Sequence, residues 1–170
     1  MIEILKITIP AVLVLITAIV VISRLLRNDA KHRAFENQRQ QTKISTPIRL
    51  RAYERYMLLL DRTLPSNLVV SVIEPGMTNF ELQSKLISTI RQEFGHNASQ
   101  QIYISNELWL SIRSTQESLI QLINMCASKV AMNEPATGLA QIILEVYAQT
   151  KRFPGEIATE MLKKEIRTIF

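Results

Sequence analysis

The polar residues around His96 are the best candidates for chemistry in this sequence. On a continuous helix, Glu93, His96, Asn97 and Gln100 share one face, because residues three and four positions apart are neighbours. A carboxylate beside an imidazole can exchange protons with a substrate, which makes a polar pocket for acid–base work one interpretation. The interpretation we favour is a hydrogen-bonded or solvated helix end, because catalysis needs partners from other segments. The candidate polar site comprises Glu93, His96, Asn97, Ser99, Gln100 and Gln101.

The single cysteine, Cys126, offers a second combination, a nucleophile with His96 as its base. Cys126 falls at an apolar position of a predicted helix, where a free cysteine is more often a small core side chain. Two histidines and one cysteine without closely spaced ligand pairs predict no metal site, and four scattered glycines predict no phosphate-binding loop. We therefore predict no cofactor, and a binding protein is favoured over an enzyme.

Residues 7–26 form the longest apolar stretch and carry no charge before Arg24. Twenty helical residues span about 30 Å, the thickness of the hydrocarbon core of a bilayer. The stretch is too long for the apolar part of a usual signal peptide, and no small-residue cleavage site follows it. The sequence therefore predicts an uncleaved, single-pass signal anchor.

The cations beside this span predict its orientation. Only Lys6 precedes it, whereas four basic residues follow closely, and such residues are enriched on the cytoplasmic side. These four residues set the topology, and in an alternative interpretation they also contact anionic lipid headgroups: Arg24, Arg27, Lys31 and Arg33. We expect the C-terminal part of the chain to lie in the cytoplasm.

The positive charge of the protein is concentrated beside the predicted span. Residues 1–45 hold seven basic and three acidic side chains, whereas residues 46–170 hold 13 basic and 12 acidic ones. A nucleic-acid-binding domain usually carries its own basic surplus. The balanced second part argues against nucleic acid as a partner.

Residues 1–45 are predicted to form the anchor and a polar stalk, and residues 46–170 a separate domain. Few glycines and many Leu, Ile, Gln, Glu, Lys and Arg residues favour an all-α fold, a compact bundle of four to five helices. The capping signals include a capping box at Thr78–Glu81 and a cap at Ser105. They predict helices at about 46–63, from Phe80 to Phe94 or as far as Ile102, 106–131, from Thr137 onward, and 156–169. The short run Leu68–Ile73 is compatible with an extended segment or with a helical turn.

Apolar spacing predicts which side chains point inward. In the first helix these include Tyr53 and Tyr56, with Leu58 and Leu59 widening the face, and in the second they begin at Phe80. The 106–131 helix has a heptad-like seam in which Gln116 fills the one missing apolar step: Trp109, Ile112, Gln116, Leu119, Ile123, Cys126 and Val130. Thr137 is the predicted cap of the next helix. In the last helix, Ile157, Met161, Ile166 and Ile169 lie on one side.

Two stretches resemble an uncharacterised bacterial family of single-span, membrane-anchored helical proteins, a domain of unknown function. The first stretch is Arg49-Leu50-Arg51-Ala52-Tyr53-Glu54-Arg55, and the second runs from Glu93 to Ser105 with Trp109 following. The resemblance covers most of the chain and implies a bacterial inner-membrane setting, but it implies no activity.

The most favoured hypothesis is a membrane-tethered cytoplasmic interaction or scaffold module, with a protein partner or a second copy as its ligand. One alternative is a small membrane-associated enzyme with a pocket around His96. Another is an anionic-lipid binder that acts through the basic stalk. The sequence leaves the partner, any small-molecule ligand and the oligomeric state open.

Overall fold

The computed structural model describes residues 46–169 and, ahead of them, only Ser23. The predicted membrane span at 7–26 lies outside the described residues, as do the stalk and the predicted lipid contacts Arg24, Arg27, Lys31 and Arg33. The chain divides into two units between Pro47 and Ile48, and the second unit contains the helical domain. Within the described part, no helix is both long and apolar enough to cross a bilayer.

The described residues form an all-α fold without a β-strand, as the sequence predicts. It contains six α-helices rather than the four or five expected, and a 3₁₀ helix at Ala98–Tyr103. The α-helices are α1 at 46–62, α2 at Pro65–Val72, α3 at Asn79–Asn97, α4 at Asn106–Ala127, α5 at Thr137–Gln149 and α6 at Pro154–Ile169.

The additional helix is α2, which answers the open question about Leu68–Ile73. Pro65 occupies the first turn, where its missing N–H leaves no bond unmade. Leu68, Val69 and Val72 are buried, so the apolar run packs as one face of a short helix. The chain then turns at Gly76, whose φ of 85° is the only positive φ among the described residues.

Helix α3 begins at the predicted capping box. The Thr78 side chain accepts a hydrogen bond from the backbone N–H of Glu81, and the Glu81 carboxylate accepts one from the backbone N–H of Thr78. The inward prediction for Phe80 is wrong, because its side chain is 54% exposed. The helix continues past Gly95 to Asn97, and the 3₁₀ helix follows it.

Helix α4 contacts α3, α5 and α6, and among these three it packs more extensively against α6 and α3. Ser105 caps it as predicted, and it ends at Ala127 rather than at residue 131. Four residues of the predicted seam are buried: Ile112, Leu119, Ile123 and Cys126. At two other predicted positions the preceding residue is buried instead, so that Leu108 and Thr115 are buried whereas Trp109 and Gln116 are half-buried.

The loop after α4 is fixed to the start of α3. The backbone N–H groups of Asn79 and Phe80 donate to the carbonyl oxygens of Glu134 and Met132. Asn79 then caps α5 in place of Thr137, which makes no capping bond. The inward prediction for Leu58 is wrong, because this residue is 53% exposed. In α6, Met161 and Ile166 are half-buried and pack against the core, and Ala158 and Leu162 are fully buried beside them.

Candidate functional site

Three distant segments meet at the carboxylate of Glu165, near the end of α6. Oε1 accepts a hydrogen bond from the Tyr53 hydroxyl at 2.7 Å and one from the Ser105 backbone N–H at 2.9 Å. Oε2 accepts one from the Ser105 hydroxyl. The Ser105 hydroxyl oxygen in turn accepts from the Leu108 backbone N–H at 3.2 Å, which caps α4. One carboxylate therefore joins α1, α4 and α6.

Arg49 completes this cluster from the first described turns of α1. Its Nη2 donates to the Tyr53 hydroxyl at 3.2 Å, and its Nε donates to the Tyr103 carbonyl at 3.3 Å. Two of the five N–H groups of the guanidinium are used in this way, and the others remain available for a ligand. Burial raises the pKa of Tyr53, and the hydrogen bond to Glu165 raises that pKa further. Tyr53 therefore stays protonated at neutral pH and acts as a donor.

A surface groove of about 700 Å³ opens beside the cluster. Its walls are mainly apolar, and Ile102 is 75% exposed. Two cationic side chains and one carboxylate lie among the residues that line it: Arg49, Ile102, Tyr103, Ile104, Ser105, Met161, Lys164, Glu165 and Thr168. Because three donors already engage Glu165, the groove presents apolar surface and positive charge to a ligand. Such a lining suits an apolar group next to an anion.

The predicted polar site around His96 is distributed over a helix end. His96, Ser99 and Gln101 are exposed, Gln100 is half-buried, and none of them lines this groove. The Asn97 side chain donates to the Glu93 carbonyl at 2.9 Å. The change from α to 3₁₀ geometry after Asn97 also removes Gln100 from the common face expected on a continuous helix.

The remaining sequence candidates have separate environments. Glu93 lies 3.9 Å from Arg62 in an ion pair at the surface. Cys126 is fully buried, whereas His96 is exposed, so the two do not form a nucleophile–base pair. Burial raises the pKa of the Cys126 thiol, which disfavours the thiolate. Within residues 46–169, no three His, Cys, Asp or Glu side chains are grouped to hold a metal ion.

The sequence profile of one family matches residues 1–169, nearly the whole chain. The chain belongs to DUF7935, a family of unknown function. No curated protein and no solved structure is detectably similar to it. The resemblance to a domain of unknown function is therefore confirmed, and the membrane anchor and bacterial origin remain predictions.

Sequence analysis did not find the Glu165 cluster of this DUF7935 protein. Tyr53 and Glu165 are 112 positions apart, and Ser105 and Glu165 are 60 apart, so no local spacing connects them. The sequence does contain one indication of this cluster. Glu165 continues the buried seam of α6 formed by Ala158 and Leu162 at helical spacing, and a carboxylate in such a seam requires donors from neighbouring helices.

Proposed function

We propose that this DUF7935 protein is a single-pass, membrane-anchored interaction module. In this proposal its helical domain lies on the cytoplasmic side of a bacterial inner membrane and binds an acidic, amphipathic segment of a protein partner. The observation that carries the proposal is the groove beside Glu165, which combines apolar walls with the cations Arg49 and Lys164. An acidic segment with one or two apolar side chains complements both properties.

The charges around the groove support an anionic ligand. Glu165 is the only carboxylate among the lining residues, and its oxygens accept three hydrogen bonds from Tyr53 and Ser105. Lys164 is exposed and lines the same groove. An incoming carboxylate would therefore meet the unused donors of Arg49 together with the ammonium group of Lys164.

The predicted anchor is compatible with a weak interaction of this kind. A groove of this size contacts only a short segment, and a short segment alone binds weakly. A protein held at a membrane meets other membrane-bound proteins at a raised effective concentration, so a modest affinity suffices. The anchor prediction depends on residues 7–26 and on the basic residues that follow them.

Binding explains the cluster better than proton transfer does. The raised pKa of Tyr53 makes it a poor base at neutral pH, and Glu165 is held as an acceptor by three donors. The enzyme hypothesis around His96 has an exposed imidazole at its centre. The lipid-binding hypothesis concerns stalk residues and remains a separate prediction.

Site-specific photo-crosslinking in intact cells tests this proposal. A photoreactive amino acid replaces Ile102, which is 75% exposed in the groove, and the matched control replaces Val70, which is 71% exposed on α2. We expect a discrete protein adduct from position 102 and none from position 70. Lys164→Glu should reduce the adduct at least fivefold, whereas Lys163→Glu, which alters a neighbouring exposed side chain outside the groove, should leave it unchanged.

The same adduct at both positions, or an adduct insensitive to Lys164→Glu, would contradict the proposed groove. The anchor is tested separately by alkaline extraction of membranes and by protease treatment of spheroplasts. We expect the full chain to stay in the alkaline pellet and the domain to be protected from external protease. Release by alkali would exclude the anchor without affecting the groove.

A further inference from the structure

Within residues 46–169, the outer face of α3 is exposed, and it shares no lining residue with the Glu165 groove. Phe80 is 54% exposed on this face. Two surface hollows flank the helix, and both include Ser84 and Ser88. The short serine side chains keep the ridge between the hollows low, so that another element can approach the backbone of α3 closely.

The apolar side chains of these hollows come from more than one segment. The first hollow lies between the turn at Glu74–Met77 and α3, and it includes Phe80. The second lies between α3 and α4, and it includes the half-buried Ile87 and Ile120. The face therefore combines apolar side chains with the charged residues Glu81 and Arg91, and the first hollow also includes Lys85 and Glu74, which are paired with each other.

The order of residues along this face is nearly symmetrical about Leu86. Ser84 and Ser88 lie two positions to either side of it, and Glu81 and Arg91 lie five positions to either side. At 1.5 Å per residue, these separations are about 3 Å and about 7.5 Å along the helix. A second α3 in antiparallel orientation brings each serine opposite a serine and each Glu81 level with an Arg91.

We propose that α3 is a homodimer interface at which two copies of this chain pack antiparallel about a twofold axis at the level of Leu86. The complementary charges select a second copy as the occupant, because twofold symmetry forms each Glu81–Arg91 pair twice. Phe80 lies next to Glu81, so the guanidinium of the second copy also meets an aromatic ring. This arrangement gives the exposed Phe80 a partner.

The Glu81 carboxylate and the Arg91 guanidinium are both able to form this ion pair between copies. Thr78 engages one carboxylate oxygen of Glu81, Oε2, through its backbone N–H and its hydroxyl, which leaves Oε1 accessible. Arg91 is exposed and makes no ion pair within residues 46–169. The proposal is independent of the partner-binding groove, because the two surfaces share no lining residue.

Disulfide crosslinking of the full chain in isolated membranes tests this proposal. Two differently tagged forms, Ser84→Cys and Ser88→Cys, are produced together and oxidised, and the mixed disulfide is measured on a non-reducing gel. The native Cys126 is buried and should not contribute. The matched control replaces the Ser88→Cys form with Ser114→Cys, on an exposed position of α4. We expect the 84–88 disulfide to form at least tenfold faster than the 84–114 disulfide.

Charge reversal provides the second measurement. Arg91→Glu should slow the 84–88 disulfide at least fivefold, whereas Arg91→Lys, which keeps the positive charge, should leave its rate near that of the parent protein. Arg113→Glu on α4 and Lys164→Glu in the groove should have no effect, and circular dichroism should show equal helicity for all variants. Equal rates for the 84–88 and control pairs, preferential 84–84 crosslinking, or insensitivity to Arg91→Glu would overturn the proposal.

Discussion

Asn79, in the first turn of α3, caps α5 across 60 positions of sequence. Its Oδ1 accepts a hydrogen bond from the Leu139 backbone N–H at 3.0 Å, and its Nδ2 donates to the Ala131 carbonyl at 2.8 Å. The side chain is only 2% exposed. A single amide thus connects the starts of two helices with the loop that joins α4 to α5.

Replacement of Asn79 should be strongly destabilising. Asn79→Ala leaves the buried Leu139 N–H without an acceptor, whereas the Ala131 carbonyl belongs to an exposed residue, and we expect the free energy of unfolding to fall by about 1–3 kcal/mol. The matched control is Thr137→Ala, at the exposed first residue of α5. This substitution should change the free energy of unfolding by less than about 0.5 kcal/mol. Urea unfolding of the full chain in detergent, followed by the fluorescence of Trp109, measures both. A larger effect at Thr137 would contradict the observed cap.

The Glu165 cluster should contribute to stability as well as to the groove. Glu165→Ala removes the acceptor for Tyr53 and for both donors of Ser105, and we expect a loss of about 2–4 kcal/mol in the same unfolding assay. Glu160→Ala is the control on the same helix. Its ion pair with Arg152 is exposed, so its loss should be below about 1 kcal/mol. Equal losses would show that the cluster is solvated.

The residues predicted correctly from sequence are those whose partners lie close in the chain. Ser105 and the Thr78–Glu81 capping box bond to atoms three positions away, and the sequence pattern contains both members of each pair. Asn79 and Glu165 bond to residues at least 52 positions away, and no periodicity connects such residues. Sequence reasoning therefore found most of the helices and placed the candidate site elsewhere, around His96.

The errors in predicting which helix faces are buried also arise because the sequence does not show which helices are neighbours. Hydrophobic spacing locates the centre of an apolar stripe only to within about one position, because neighbouring residues on a helix are about 100° apart. In α4, that ambiguity exchanged Thr115 for Gln116, since the orientation depends on which helices flank it. Apolar spacing also predicts that Phe80 points inward, whereas its backbone N–H bonds to the loop at Met132 and its side chain lies outside.

Tyr56 should make the fold sensitive to alkaline pH. Burial raises its pKa from 10.0 to about 12, and its hydroxyl donates to the Asn97 carbonyl at 3.1 Å. Because the folded pKa is above the unfolded one, this contribution to stability is complete below pH 10 and is lost as the pH rises through 12. Tyr56→Phe should lower stability at pH 7 by about 1 kcal/mol. The same substitution should also reduce the loss of stability between pH 10 and 12.

The control for Tyr56 is Tyr103→Phe, at a half-buried residue in the 3₁₀ helix. This variant should keep the alkaline decline of the parent protein. Urea midpoints at intervals between pH 7 and pH 12 measure the difference. An unchanged decline in Tyr56→Phe would mean that other groups dominate the alkaline transition.

Replacement of glycine by alanine should lower the stability of the fold at Gly155 and raise it at Gly95. A Cβ on Gly155, at the start of α6, would lie 3.3 Å from Cγ2 of Thr115. Thr115 is buried, and its hydroxyl is bonded to the Ser111 carbonyl at 2.9 Å, so its methyl group cannot rotate away. We expect Gly155→Ala to destabilise the fold by about 1 kcal/mol. Thr115→Ser removes the methyl group and should relieve the penalty in the double variant.

Gly95→Ala is the opposite case and serves as the control. Gly95 lies within α3 with nothing within 4 Å of its virtual Cβ, so the new methyl group meets open space. Alanine has the higher helix propensity, and we expect a gain of about 0.5–1 kcal/mol. A loss at this position would mean that α3 ends at Gly95. Additive effects of Gly155→Ala and Thr115→Ser would contradict the close approach of α6 to α4, because residues in contact must couple in such a cycle.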